Sequence, residues 1–154
     1  MQNFIGTKLI KATAMTRLAY NILRGWELPQ DEDGSDEGYL VEYLDGGQAN
    51  HPDYAGYISW SPKEVFKNAY RPVTGMSFGL AVEALRLGKR VCRAGWNGKG
   101  VWLVYVNPVG QGINDDAPYY KVIPWIGMKT ADDKIVPWLA SQIDVLADDW
   151  TIIE

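Results

Sequence analysis

Two hydrophobic periodicities alternate along the chain and break near its middle. Residues 6–15 alternate as a half-buried strand does, and Thr16 is placed to cap a short helix over Arg17–Arg24 that Gly25 ends. The acidic stretch 30–38 reads as a solvated loop. Gly38–Tyr43 and residues 56–60 read as two further strands around a turn on Asp45-Gly46-Gly47. Ser61-Pro62-Lys63-Glu64 has the pattern of a capping box, with Ser at the N-cap and Pro at the first helical position, and predicts a helix over 62–69. In Arg71-Pro72-Val73-Thr74-Gly75, Pro and Gly then interrupt the pattern.

A second set of elements follows. Ser77 caps a helix whose Phe78, Ala81, Val82 and Leu85 fall on one face, and Gly88 supplies a left-handed stop. Residues 91–94, 101–106, 122–128, 134–138 and Trp150–Ile153 read as short strands, and 139–146 as a second short helix. The chain is therefore α+β: short antiparallel sheets with a few short helices, in two small modules, 1–75 and 76–154. Cores of about 75 residues are marginal alone, so docking of the modules or oligomerisation is expected. Tyr39, Tyr43, Tyr57 and Trp60 are expected to share one sheet face of the first module and to dock it on the second, with a second binding surface as the alternative.

Composition narrows the function. The 154 residues are 47% hydrophobic and 22% charged, with 15 Lys+Arg against 19 Asp+Glu. Such an acidic chain lacks the clustered basic surface that polymeric nucleic acid requires, although a small nucleotide remains open. No apolar run reaches the 18 to 20 residues or so of a membrane span and the first residues lack a secretory pattern, so a cytoplasmic location is expected. With Cys92 and His51 as the only cysteine and histidine, neither an internal disulfide nor a closed zinc site is available. Cys92 reads as a small buried residue and His51 as a surface histidine in a turn. Seven Trp and nine Tyr exceed what two small cores require, which points some rings to a ligand site or subunit interface.

Two segments concentrate candidate chemistry. Gly95-Trp96-Asn97-Gly98-Lys99-Gly100 joins two predicted strands; its glycines expose backbone N–H groups, Lys99 adds a positive charge and Trp96 a flat ring. Those are the parts needed to hold a phosphate beside a purine. The plain alternative is a tight hairpin whose tryptophan packs inward. In Trp138-Leu139-Ala140-Ser141-Gln142 an aromatic, a hydroxyl and an amide converge at a strand-to-helix corner suited to reading a sugar or base edge. Asp115-Asp116 and Asp148-Asp149 suggest metal, but adjacent carboxylates on a strand point to opposite faces, so no metal or cofactor is expected. No nucleophilic triad or paired-carboxylate arrangement is legible, which favours binding over catalysis.

Residues 76–154 resemble the Thoeris anti-defence protein 2 family of bacteriophages. Met76-Ser77-Phe78, Arg93-Ala94-Gly95-Trp96-Asn97-Gly98, Met128-Lys129-Thr130-Ala131-Asp132, Val136-Pro137-Trp138-Leu139-Ala140-Ser141-Gln142 and Leu146-Ala147-Asp148-Asp149-Trp150 carry the likeness. It implies a sponge that binds the cyclic ADP-ribose isomer made by an activated Thoeris TIR enzyme and withholds it, uncleaved, in the cytoplasm of the infected host. It further implies a homo-oligomer, typically a tetramer, with pockets between protomers, and cyclic dinucleotides as additional ligands of some members. Carried over by motif, Trp96, Asn97 and Trp138 are the first ligand contacts, joined by Lys99 from the turn and by Ser141, Gln142 and Asp144 from the corner. This chain departs from the family pattern at Asp133, where glycine is usual, and at Ile143, where threonine is usual. Its loop over 107–120 is also longer. Residues 1–72 are similar to a small phage-associated module through Arg24-Gly25-Trp26-Glu27, Asp36-Glu37-Gly38-Tyr39 and Trp60-Ser61-Pro62-Lys63. Two other classes remain open: a nucleotide-degrading enzyme using Asp144, Asp148 or Asp149 as general base, and a phage structural or adaptor protein whose tryptophans form interfaces.

Overall fold

The structure, a computed structural model, describes residues 1–3, 5–108 and 122–153, without the side chains of 97–99. Two compact units, Met1–Tyr70 and Arg71–Glu154, make up the chain. Residues 71–75 go with the second unit, where the Ile152 N–H donates to Val73 O at 2.9 Å.

The first unit runs β1 (Ile10–Ala14), α1 (Arg17–Arg24), β2 (Gly38–Tyr43), β3 (Tyr57–Pro62) and α2 (Lys63–Ala69). The strands form one antiparallel sheet in the order β1-β2-β3. The Thr16 hydroxyl accepts from the Ala19 N–H at 3.3 Å, and Gly25 at φ +67° ends α1 while the Trp26 N–H returns to Asn21 O at 2.8 Å. A helix lies on each sheet face. On one, Tyr20 of α1 closes over Leu40 and Ile58 with Met15, Leu23, Tyr54 and Trp60 around them. On the other, Phe66 of α2 stacks on Tyr39 with ring centroids 4.0 Å apart.

Three expectations for this unit are corrected. Trp60 does not share a face with the tyrosines: it stands opposite Leu40, on the α1 side, whereas Tyr57 pairs with Tyr43. Positions 57 and 60 differ by an odd number, and a period of two puts them on opposite faces. The Ser61 capping box does not form, because Ser61 and Pro62 continue β3 opposite Tyr39 and Gly38; α2 starts at Lys63 with no side-chain cap bond. The Lys63 N–H is satisfied instead by Glu37 O at 3.0 Å. His51 is not a free surface residue, since its side chain is only 14% exposed. Its Nε2 reaches Leu23 O at 3.2 Å and its Nδ1 accepts from the Asp53 N–H at 3.2 Å, which requires the Nε2–H tautomer and ties this turn to the end of α1.

The second unit runs α3 (Phe78–Arg86), β4 (Arg90–Arg93), a 3-10 turn (Ala94–Lys99), β5 (Trp102–Val106), β6 (Trp125–Lys129), β7 (Ile135–Pro137), α4 (Gln142–Val145) and β8 (Trp150–Ile153). The sheet is antiparallel throughout, in the order β7-β6-β5-β4-β8. Val91 pairs with both Leu103 and Ile152, and Leu103 with Met128, so these four share a face with Trp150. Against that face α3 buries Ala81, Ala84 and Leu85. The buried α3 stripe thus includes Ala84, while Val82 stays only partly covered. The architecture is the expected α+β. The helix read over 139–146 shortens to one turn because Ser141 caps it there, and the strand read over 122–128 begins at Trp125. Cys92 is fully buried, and that burial raises the pKa of its thiol. Residues 109–120 of the long loop, with Asp115-Asp116, lie outside the described residues.

Gly38 allows a close approach in the first unit. The Trp60 indole lies against its backbone, donates from Nε1 to Met15 O at 2.9 Å, and carries the Arg17 guanidinium over its ring at 4.9 Å. A Cβ at position 38 would fall 2.4 Å from Trp60 Cζ2 and 2.5 Å from Ser61 O. Gly38→Ala is expected to destabilise the first unit by about 1–3 kcal/mol. Urea unfolding followed by tryptophan fluorescence reads this as a lower midpoint; an unchanged midpoint would show that the indole is not held at this spacing.

Candidate functional site

The site is built from the ends of β4, β7 and β8 and the two corners beside them. The segment read as an open glycine loop folds as a 3-10 turn after β4, closed by Gly100 at φ +63°. Trp96 rides on this turn. Trp138 follows β7 directly, and its N–H donates to Ile126 O at 3.0 Å, which fixes the corner to β6.

These two rings meet within one chain. Their centroids are 6.2 Å apart, edge to face at 78°, and both rest on Trp150, at 5.5 Å for Trp96 and 6.0 Å for Trp138. Phe78 of α3 closes the group at 5.4 Å from Trp150 and 6.0 Å from Trp138. Edge-to-face contacts of this kind contribute about 0.5–1.5 kcal/mol each beyond simple burial. Trp150 is fully buried, while Trp96 and Trp138 are half-buried. Inward packing and an open ring edge therefore coexist at Trp96 and Trp138.

The second corner is held by charge. Ser141 Oγ accepts from the Asp144 N–H at 3.2 Å, and Asp144 Oδ2 accepts from Ser141 N at 3.2 Å and Oγ at 2.6 Å, which is a complete capping box. Asp144 Oδ1 also takes the Arg93 Nη1 at 2.9 Å, and Arg93 Nε is bonded to Asp149. The Arg93 guanidinium lies 5.9 Å from the centre of the Trp150 ring, whose Nε1 donates to Asp144 O at 3.0 Å. Burial raises the pKa of the Asp144 carboxyl, but the Ser141 bonds and the Arg93 guanidinium outweigh it and hold it below its ordinary value. A general base needs the opposite displacement.

Of the residues predicted from sequence, Trp96 and Trp138 come together, and so do Ser141 and Asp144. The latter pair is engaged in holding the corner. Gln142 stands exposed as the first residue of α4. Asn97 and Lys99 lie on the 3-10 turn, but their side chains are outside the described residues. Phe78, Arg93 and Trp150 were missed. Arg93 carried a readable signal, since an arginine on a core-facing strand position demands carboxylates, and the Asp144 to Asp149 segment supplies them. Asp133 sits at φ +63°, the single non-glycine residue in that region among the described ones, and its carboxylate pairs with Lys129 at 2.6 Å. A left-handed position of this kind is one that glycine takes without strain. Among the described residues no His, Cys, Asp and Glu group is arranged to hold a metal, and no helix is long and apolar enough to cross a membrane.

Residues 76–153 match the family described as the Thoeris anti-defense 2-like domain. A relative named Thoeris anti-defense 2, from Bacillus phage SP01, is 43% identical over 88 aligned residues. That alignment takes in 52% of this chain and 97% of the relative. The likeness therefore falls on the second unit, which contains the whole aromatic site.

The charge network yields a prediction. A carboxyl with a lowered folded-state pKa stabilises above its unfolded value near 4, and loses that contribution as pH falls through the folded value. Asp144→Asn is expected to cost about 1 kcal/mol at pH 7, with the deficit shrinking below pH 4. Chemical denaturation of both proteins between pH 7 and 3 checks this, and a deficit that stays constant down to pH 3 would contradict it.

Proposed function

The chain belongs to the Thoeris anti-defense 2-like family, and from that premise we propose that it is a phage anti-defence protein that sequesters a cyclic ADP-ribose-type immune nucleotide without cleaving it. The observation that carries the reading is the pair of half-buried indoles, Trp96 and Trp138, propped by buried Trp150 beside the glycine-rich turn. Rings held this way lose little entropy when a base stacks on them, and each stacked base contributes about 1–3 kcal/mol. In this reading Lys99 of the same turn supplies the positive charge for the ligand phosphates, and Asn97 and Gln142 supply groups for its polar edges. Ser141 and Asp144 shape the corner.

A sponge must outcompete its effector, which sets nanomolar affinity, about −12 kcal/mol, as the physical requirement. Several groups must then enclose the ligand, and a unit of this size encloses it best between protomers. The working assembly in this proposal is a homo-oligomer, a tetramer, acting in the cytoplasm of the infected host. Leu139, Ile143 and Leu146 beside the site are 91%, 76% and 76% exposed, which supports a protein surface packing there. Cyclic dinucleotides are additional candidate ligands. The depressed Asp144 carboxyl argues against nucleotide hydrolysis by that residue.

Two experiments decide the matter. The protein is incubated with the product of an activated TIR enzyme, freed of unbound nucleotide and then denatured; intact nucleotide is the expected release, and a cleaved product would overturn sequestration. Trp96→Ala is expected to weaken binding about tenfold to a hundredfold, in line with one lost stacking contact, while the mass of the assembly stays the same. The reverse pattern would favour an adaptor whose tryptophans form interfaces. Because the phage relative is covered almost whole by the second unit, residues 71–154 alone are expected to retain binding, as read by calorimetry.

A further inference from the structure

The two sheets have four edge strands, and among the described residues three of them are guarded. On β3, Asn50 takes the outward Ile58 N–H and C=O, at 2.8 and 2.9 Å, as a neighbouring strand would. On β8, the outer side bonds Met76 at 2.8 and 3.1 Å and Val73 at 2.9 Å. On β7, Pro137 removes a donor from a strand of three residues.

β1 has no such guard. Its register with β2 is continuous over all five residues, without a bulge. The Met15 N–H donates to Gly38 O at 2.9 Å, so antiparallel alternation turns the Lys11 and Thr13 groups toward β2 and those of Ile10, Ala12 and Ala14 outward. Among the described residues no backbone hydrogen bond reaches that outward row. Ala12, Thr13 and Ala14 are exposed, and both helices pack over β2 and β3 rather than over this edge. The one charged residue, Lys11, stands opposite Glu42 within its own sheet.

We propose that the β1 edge is the pairing surface for a second copy of this chain, which adds its own β1 antiparallel to form a continuous six-stranded sheet. The register follows from the outward row, which is symmetric about Ala12. A two-fold axis there sets Ala12 against Ala12 and Ile10 against Ala14 on either side, and each of these pairs exchanges two backbone bonds. Every outward donor and acceptor of the strand is satisfied. Lys11 then meets Thr13 of the other copy, so no like charges face each other, and the contact is self-complementary, which is the argument for a second copy over a foreign strand. The interface belongs to the first unit, outside the region shared with the phage relative, and is independent of nucleotide binding.

Two full-length variants test it. Ala12→Pro deletes an outward N–H and no bond of its own sheet, so it is expected to halve the assembly mass measured by light scattering while thermal unfolding still shows a folded first unit. Ala12→Cys sets two thiols across the axis at a Cα separation near 5.5 Å, within disulfide range, and is expected to give a covalent dimer under mild oxidation. Thr13→Cys, two residues out of register with its own copy, is expected to stay uncrosslinked. Equal masses for wild type and Ala12→Pro across a range of concentrations would overturn the proposal. So would a disulfide dimer that forms as readily at position 13 as at 12, or a strand from another protein bound at this edge while the chain itself stays unpaired there.

Discussion

Everything in the second unit is organised around one buried indole. Trp150 exchanges backbone hydrogen bonds with Met76 at the entrance to α3, pairs with Arg93 across β4, and donates its ring N–H to the carbonyl of Asp144. Its faces and edges are taken by Phe78, Trp96, Trp138 and the Arg93 guanidinium. Helix, sheet, 3-10 turn and α4 corner are thereby referred to one rigid group, and a shift of any of them disturbs the others. That coupling makes the two half-buried indoles into fixed surfaces. An isolated tryptophan on a glycine-rich turn would sample several rotamers; one wedged edge-on against a buried neighbour does not.

Arg93 illustrates why charge here is inseparable from geometry. A guanidinium placed on the core side of a strand carries a large desolvation cost unless its N–H groups find acceptors, and it finds two carboxylates from a segment distant in sequence. The ion pairs thus fix where residues 144–149 lie, and the Ser141 cap fixes where α4 starts. Side chains that look available for a ligand in one dimension are committed in three.

The legible part of the sequence was what depends on short-range chemistry. Thr16 and Gly25 bracket α1, Gly88 at φ +78° follows the end of α3, whose N-cap Ser77 makes no side-chain cap bond, and the period of two marks most strands, because each signal is carried by residues within one or two turns of the chain. Trp96 and Trp138 stand out by residue type and motif, but that they touch is visible only in the structure. What sequence did not show was set by partners far along the chain. Ser61 had the local credentials of a helix cap but was drawn into the β2 ladder, where a full row of backbone bonds outweighs one side-chain cap. His51 lacked a near neighbour of catalytic spacing, yet its partner was a helix carbonyl 28 residues away. Trp150, at the end of an ordinary strand, gave no local hint that it was the centre of the unit.

The strand order of the second unit has a consequence for how the protein comes into being. β8 is the last strand in sequence but lies beside β4, and the Arg93–Asp149 contact that accompanies this pairing spans 56 positions. Long loops of this kind must close before their contacts repay the lost chain entropy, which slows folding relative to a helical bundle of the same size. In sequence α3 and strands β4 to β7 precede β8, and their apolar face is covered only when the Trp150 strand joins β4. The aromatic site is then assembled in the same step that completes the core, so an indole pair that is in place marks a second unit that has folded.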